Sequence, residues 1–374
     1  MSEHAVLAPS SAPQWGVCSG SVAAQMSAPN IETQESKEGT AAHWVGSECL
    51  TAWRSPALGD LLCSDWLGKI APNGVVIDDK MVEGAQIYVD DVLKVAHKYS
   101  ATQQLLIEHR VYMPQIHELN WGTLDGCLAL LINGVVYLWD YKHGHREVDA
   151  EGNLQMIDYL AGIMHEFKIN GADDQRIEFV IRVVQPYAYH ANGAVSEWRG
   201  KLSDLRPYVN QLTHMANEAM TNPRFTAGKH CRDCSAVGTC ATARRYQYAF
   251  ADYVNEPYII DNMTGHDLAV ERNILRDSLA VGKSRLQAIE DELAHRIKNG
   301  DASTGLTVES KQSNRWYWNI GTEQAIALCA QFGADVSKPD VLTPKQAIAK
   351  VDAAMRGPFE QTLKTVIKQP ATSL

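Results

Sequence analysis

"GTLDGCLALLINGVVYLWDYKHG", residues 122–144, is the stretch whose reading decides the fold. "LALLI" and "VVYLW" read as strands. Asn133-Gly134 between them is the strongest short-range signal for a two-residue type I′ hairpin turn. That turn pairs Ile132 with Val135, and counting back along the register pairs Asp125 with Lys142. Paired residues share a face of an antiparallel ladder, and so do residues two apart on one strand. Asp125, Asp140 and Lys142 are therefore expected on one side of the sheet, within reach of one another. Two carboxylates so placed repel unless a cation sits between them. A few hard oxygen ligands with open positions suit Mg²⁺ or Mn²⁺. The lysine would then orient or activate a water, or stabilise charge developing on a phosphate. The competing reading is a surface Asp–Lys pair on a solvated sheet face, which contributes little.

Working outward, "EGTAAHWVGSECLTAWR" reads as a helix opening near Thr40, with His43 in its early turns. "DDKMVEGAQIYVDDVLKVAHKYS" reads as a second helix, with Met81, Ala85, Tyr88, Val89 and Leu93 at helical spacing. "QQLLIEHRVYMP" is a strand ending near Pro114. Beyond the hairpin, "NLQMIDYLAGIMHEFKI" is an amphipathic helix on which Gln155 and Tyr159 lie together, four residues apart. "RIEFVIRVVQP" is a buried-type strand stopped by Pro186, and "SDLRPYVNQLTHMANEAM" is another helix. This order implies an α/β protein with helices packed on a sheet. Residues 1–37 read as a loose tail, of which Trp15 and Cys18 suggest that part docks. Residues 264–299 read as one long polar helix stopped by Gly300, with a strand "LTVESKQ" and short helices after it.

The chain has 374 residues, enough for one large domain or two ordinary ones. No apolar run approaches the ~20 residues that span a membrane, and the start lacks a signal-peptide pattern, so a cytoplasmic protein is expected. The formal net charge of −10 argues against a non-specific nucleic-acid coat. It leaves a nucleic-acid enzyme open, because affinity comes from local basic patches and bound metal.

Eight cysteines in such a protein are expected as thiols or metal ligands. Cys231, Cys234 and Cys240 in "GKHCRDCSAVGTCATARR" have the spacing of a metal site. Cys18 is the best fourth ligand, since it sits in a segment with no other reason to fold. Zn²⁺ and an iron–sulfur cluster both accept four thiolates, and spacing alone does not choose between them. Cys49, Cys63, Cys127 and Cys329 lie in apolar or helical contexts, where a free buried thiol is expected.

With these residues in view, "GTLDG", "WDYKHG" and the Gln and Tyr of "NLQMIDYLAG" resemble the motifs of the RecB-like branch of PD-(D/E)xK nucleases. The helix "EGTAAH" resembles the branch's "EGT-x-x-H", whose histidine is a metal ligand. Some branch members carry one Cys before the nuclease core and three after it, and these bind a 4Fe-4S cluster; Cys18, Cys231, Cys234 and Cys240 match that layout. The opening "HAVLAPSSAPQWGVCSGS" and "SNRWYW" also resemble a family found in bacteriophages and prophages.

The nuclease resemblance covers about residues 15–245. It implies a restriction-endonuclease-like core, a mixed sheet flanked by helices, within a nuclease domain at 1–250. A mainly helical accessory region at 255–374 completes the expectation. It further implies that His43, Asp125, Asp140 and the Tyr141 carbonyl hold Mg²⁺ or Mn²⁺. Lys142 would position or activate the attacking water, and Gln155 and Tyr159 would orient the lysine or the DNA backbone. The implied activity is metal-dependent DNA hydrolysis, with exonuclease action in phage replication, recombination or processing. The implied partners are DNA and a homo-oligomer or a phage recombination protein. The alternative is an inactive DNA-binding or assembly subunit of the same fold. Arg315 and Trp316 in "KQSNRWYWN" offer a basic and aromatic pair for phosphate contact and base stacking; the competing reading is a short strand whose tryptophans fill a small core.

Overall fold

The structure, a computed structural model, describes residues 5–28, 33–55, 61–100, 105–188, 193–254, 263–301, 317–318, 320–334, 336, 347–348, 351, 355–363 and 367–368. It divides into two compact units, Met1–Ala288 and Ile289–Leu374.

The first unit is built on a mixed five-stranded sheet in the order β1-β2-β3-β4-β5. The strands are β1 (Leu105–Tyr112), β2 (Trp121–Leu130), β3 (Val135–Tyr141), β4 (Glu178–Val184) and β5 (Val195–Lys201). Three neighbouring pairs are antiparallel, and β3 runs parallel to β4. A parallel pair needs a crossover, and the helix Leu154–Glu166 lies between the two strands in the chain. β3 is buried along its whole length, as expected of a strand covered on both faces.

The hairpin is real, but its register differs from the sequence expectation by two residues. Leu130, not Ile132, pairs with Val135, so residues 131–134 form the loop and Ile132 is fully exposed. A type I′ turn needs positive φ at both central residues. Only Gly134 has it, at φ 69°, so a tight turn closed by Leu131 O and Gly134 N–H takes its place. An even shift leaves the faces of regularly alternating residues unchanged, but alternation breaks beside Asp125, where Leu124 and Cys127, three apart, face the same core. Asp125 now comes opposite Asp140 rather than Lys142.

Helices cover both faces. They are α1 (Ala12–Trp15), α2 (Ser21–Met26), α3 (Gln34–Arg54), α4 (Asp79–Lys98), α5 (Leu154–Glu166) and α6 (Arg206–Thr221). α3 and α4 close one core around Val45, Leu50, Met81, Tyr88, Trp139 and Tyr141. α5, α6 and the N-terminal turns close the other, around Trp15, Leu138, Ile157, Leu160 and Phe179. Over residues 5–28 the N-terminal stretch is therefore not a loose tail; Leu7, Ala12, Trp15 and Val22 are core residues. α3 opens at Gln34, where Thr33 caps the Ser36 N–H, so His43 lies in mid-helix rather than in the early turns. β5 went unread in the sequence because "VSEWRGK" is polar and carries a glycine, as an edge strand tolerates.

α7 (Ala241–Val254) and the start of α8 (Gly265–Lys298) complete this unit; Val281 of α8 packs with Cys231, Val237 and Ala243. Gly300, at φ 89°, follows the long helix as anticipated. In the second unit, α9 (Thr322–Gln331), α10 (Arg356–Leu363) and the short pair β6 (Tyr317–Trp318) and β7 (Ile367–Lys368) accompany a core of Cys329, Val336, Phe359 and Leu363. The expected strand "LTVESKQ" lies outside the described residues. Among the described residues no helix is long and apolar enough to cross a membrane.

One buried acid gives a stability prediction. Asp158 on α5 is fully buried, and its oxygens accept from Asn120 Nδ2 at 2.8 and 3.1 Å. Asn120 Oδ1 is buried with no partner. Burial pushes the Asp158 pKa up to about 8, which the amide only partly offsets. A carboxyl raised in the folded state contributes stability that is complete below its unfolded pKa and lost as pH rises through about 8. Asp158→Asn presents an amide N–H to Asn120 Oδ1 and has no charge to bury. Its thermal midpoint at alkaline pH should exceed wild type by about 4 °C or more. The gain should vanish in acid, and melting curves across pH check it.

Candidate metal and phosphate site

The β2–β3 ladder ends at Gly126 and Trp139, and the strands part beyond it. In that fork Asp125 Oδ2 accepts the Tyr141 N–H at 2.7 Å, replacing the lost ladder bond. Asp140 lies on the same face of β3 as Val136 and Leu138, toward α5. There Asp140 Oδ1 accepts from Lys142 Nζ at 2.9 Å and from Gln155 Nε2 at 3.1 Å. Gln155 Oε1 accepts from Lys142 Nζ at 3.4 Å, closing a three-residue ring. Asp140 Oδ2 is buried and has no partner. An orphaned, buried carboxylate oxygen is costly unless something outside the protein meets it.

α3 supplies His43, whose Nδ1 is 3.5 Å from Asp125 Oδ1. Burial alone would raise the Asp125 pKa, but His43, Lys142 and the Tyr141 N–H together hold it below the ordinary range. Burial likewise would lower His43, and Asp125 reverses it, so His43 is raised. Asp140 is shifted the other way: burial, with Asp125 adding, outweighs Lys142 and raises it. Lys142 is raised because Asp140 and Asp125 outweigh its burial, so it stays a cation.

β1 contributes a candidate ligand that sequence reasoning missed. Ile107 pairs with Gly126 and His109 with Leu124, leaving Glu108 across from Asp125 with φ 45°. Left-handed backbone in a non-glycine strand residue is strained, and such strain concentrates at functional sites. Ligand atoms of His43, Glu108 and Asp125 all lie within 4.8 Å of one another. The Glu108 residue is exposed, yet its carboxyl has lost enough water, with Asp125 beside it, to be pushed up to about 7. One imidazole and several carboxylates suit Mg²⁺ or Mn²⁺. In sequence Glu108 stood in "IEHR", a charged run with no marker of its own; only long-range pairing brings it to Asp125. Glu108→Gln is expected to weaken Mn²⁺ binding about tenfold or more by calorimetry, with the fold kept.

Two aromatic residues hold the site from behind. Tyr88 stacks on Tyr141 with centroids 5.4 Å apart, and its buried hydroxyl has no partner. Tyr159 donates to the Thr123 carbonyl at 2.7 Å, so its hydroxyl fixes β2 and does not touch Lys142. Gln155 does touch the lysine. The Tyr141 ring is fully buried among His43, Tyr88 and His143.

The N-terminal turns carry Cys18 to the segment before α7. Thr226 N–H donates to Cys18 Sγ at 3.4 Å, across 208 residues of chain. His230 is hydrogen-bonded to Cys18 and then to Cys231, which push its pKa up to about 10. Burial first, with Cys231, Cys18 and Cys240 adding, pushes Cys234 up to about 11. All four thiols thus belong to one neighbourhood, yet they do not form a group at the 4.8 Å spacing of the His43 site. Cys49, Cys63, Cys127 and Cys329 are free and buried. Asp233, in the cysteine turn, accepts from Arg146 Nη1 at 2.7 and 2.8 Å, tying that turn to the segment that follows Lys142.

Arg315 and Trp316 lie outside the described residues. The family model described as "Protein of unknown function (DUF2800)" matches residues 4–374, so the chain belongs to the DUF2800 family.

Proposed function

We propose that the protein is a metal-dependent DNA nuclease, acting as an exonuclease, and that its mixed sheet is a restriction-endonuclease-like core. The observation that carries this reading is the centre itself. Three elements converge His43, Glu108 and Asp125 within 4.8 Å, and beside them Asp140 leaves a buried oxygen unpaired. A structural ion pair needs neither the strained Glu108 nor the orphaned oxygen. His43, Glu108, Asp125, Asp140 and the Tyr141 carbonyl would hold one or two Mg²⁺ or Mn²⁺ ions. When bound, they supply Lewis-acid polarisation of a phosphoryl oxygen and neutralise developing charge.

The chain's own groups do the rest. Lys142, kept protonated by its carboxylate neighbours, is a donor and a fixed positive charge rather than a base. Gln155 and Asp140 hold its ammonium in place, so it meets a phosphate oxygen or a water without reorganising. Tyr159 acts at one remove, by fixing the Thr123 backbone two residues before Asp125.

We also propose that Cys18, Cys231, Cys234 and Cys240 bind a 4Fe-4S cluster. One zinc draws four thiolates to ~2.3 Å from a single point. The likeness of their layout, one cysteine before the core and three after it, to that of cluster-bearing RecB-like nucleases supports the cluster over zinc. The cluster would clamp the N-terminal turns to the end of the nuclease unit, leaving catalysis to the carboxylates.

End-labelled single- and double-stranded DNA, incubated with the protein, Mg²⁺ or Mn²⁺, should be shortened from its ends, and EDTA should prevent it. DNA bound but never cut would favour the inactive subunit, a reading kept open by the net charge of −10.

A further inference from the structure

We infer that residues 67–77 form a wedge that takes the last base pair of a DNA duplex out of its stack beside the metal centre. This rests on the nuclease reading and names its substrate as the end of a duplex. The stretch is "LGKIAPNGVVI". Ile70 bridges to Val76, and Ala71 O accepts the Gly74 N–H at 2.8 Å, so the chain doubles back in a short hairpin. Gly74 takes φ 83° at its tip, which a side chain would resist.

The hairpin points apolar side chains both ways. Ala71 and Ile77 are buried in the α3–α4 core. Leu67, Ile70 and Val76 are 46, 68 and 45 % exposed. Asn73 Nδ2 donates to Lys37 O on α3 at 2.8 Å, bracing the tip. A braced hairpin with three aliphatic side chains turned to solvent needs an apolar partner.

Its place in the fold says which partner. Lys37 precedes His43 by six residues of the same helix, about 9 Å, or about three base steps. The base of the hairpin runs straight into Asp78, the N-cap of α4, and Lys80. Asp78, Lys80 and His43 all act electrostatically on His143, the residue after Lys142. Lys80 Nζ is 3.0 Å from His145 Nε2 and lies over the Tyr187 ring at 4.7 Å. The hairpin thus stands on the rim of the carboxylate site, with cations beside it: Lys80 at its base, and Lys69 over the Trp66 ring at 4.8 Å. An apolar point flanked by lysines matches a duplex end, whose exposed base faces are apolar and whose strands are anionic. Proteins that part stacked bases do so with aliphatic side chains of this kind.

The test uses the full chain, Ca²⁺ in place of Mg²⁺, and a duplex with 2-aminopurine at its terminal position. Wild-type binding should raise the fluorescence several-fold as the base leaves the stack. Ile70→Ser with Val76→Ser, both at exposed positions, should bind the duplex without that rise. With Mg²⁺ the same variant's ratio of duplex to single-strand cleavage should fall about tenfold. A wild-type protein that binds without a fluorescence rise overturns the wedge, and so does a variant with the wild-type rise and ratio. A rise without cleavage in Mg²⁺ would keep the wedge and refute the nuclease reading.

Discussion

Lys142→Ala and Asp125→Asn should each lower DNA cleavage about a thousandfold or more under saturating Mg²⁺, read as single-turnover rates. Lys142 is the cation fixed at 2.9 Å from Asp140, and Asp125 is the group shared by His43, Lys142 and the Tyr141 N–H. Their stability effects should differ in kind from those of Asp140. In EDTA, Asp125 is held low by its partners, so the stability it contributes is present above its unfolded pKa and lost as pH falls through the folded one. Asp125→Asn should therefore cost stability at neutral pH. Asp140 is raised, chiefly by burial, so its contribution is present in acid and lost as pH rises through its folded pKa. Asp140→Asn should be neutral or stabilising without metal while still abolishing cleavage. Melting curves in EDTA distinguish the two, and equal losses of stability would contradict these opposed shifts.

Cys231→Ser and Cys18→Ser should each lose the iron–sulfur group. The anaerobically purified wild type should be brown and contain iron and inorganic sulfide; either variant should be colourless. The thermal midpoint should fall by about 10 °C or more, since metal affinity in such a clamp is also folding energy. Cleavage should fall as well, because the turn holding Cys231 carries Asp233, the partner of Arg146 in the segment after β3. A colourless wild type with one tightly held zinc would keep the ligands and overturn the cluster. Metal retained in Cys18→Ser at wild-type stability would remove the N-terminal clamp.

Much of this arrangement was legible because the information is local. The hairpin showed in two apolar runs around Asn133-Gly134, and the helices showed in the spacing of Met81, Ala85 and Tyr88. Asp125 and Asp140 come together at Lys142 despite the wrong register. What went unread depends on tertiary pairing. Glu108 meets Asp125 only through the β1–β2 ladder, and its positive φ has no sequence signature in "IEHR". β5 lacks the apolar run of a central strand because it lies at the edge. Tyr159 could not be separated from Gln155 by helical spacing, since four residues apart says only that they share a face. The structure divides their work: one amide on the lysine, one hydroxyl on the Thr123 backbone.

The most direct measurement is the single-turnover rate of cleavage of an end-labelled duplex as Mn²⁺ is titrated into metal-free protein. The rate should rise from zero and saturate in step with the Mn²⁺ bound by calorimetry. Cleavage that persists in EDTA, or none when the Mn²⁺ sites are full, would contradict a metal-dependent nuclease centred on His43, Glu108, Asp125 and Asp140.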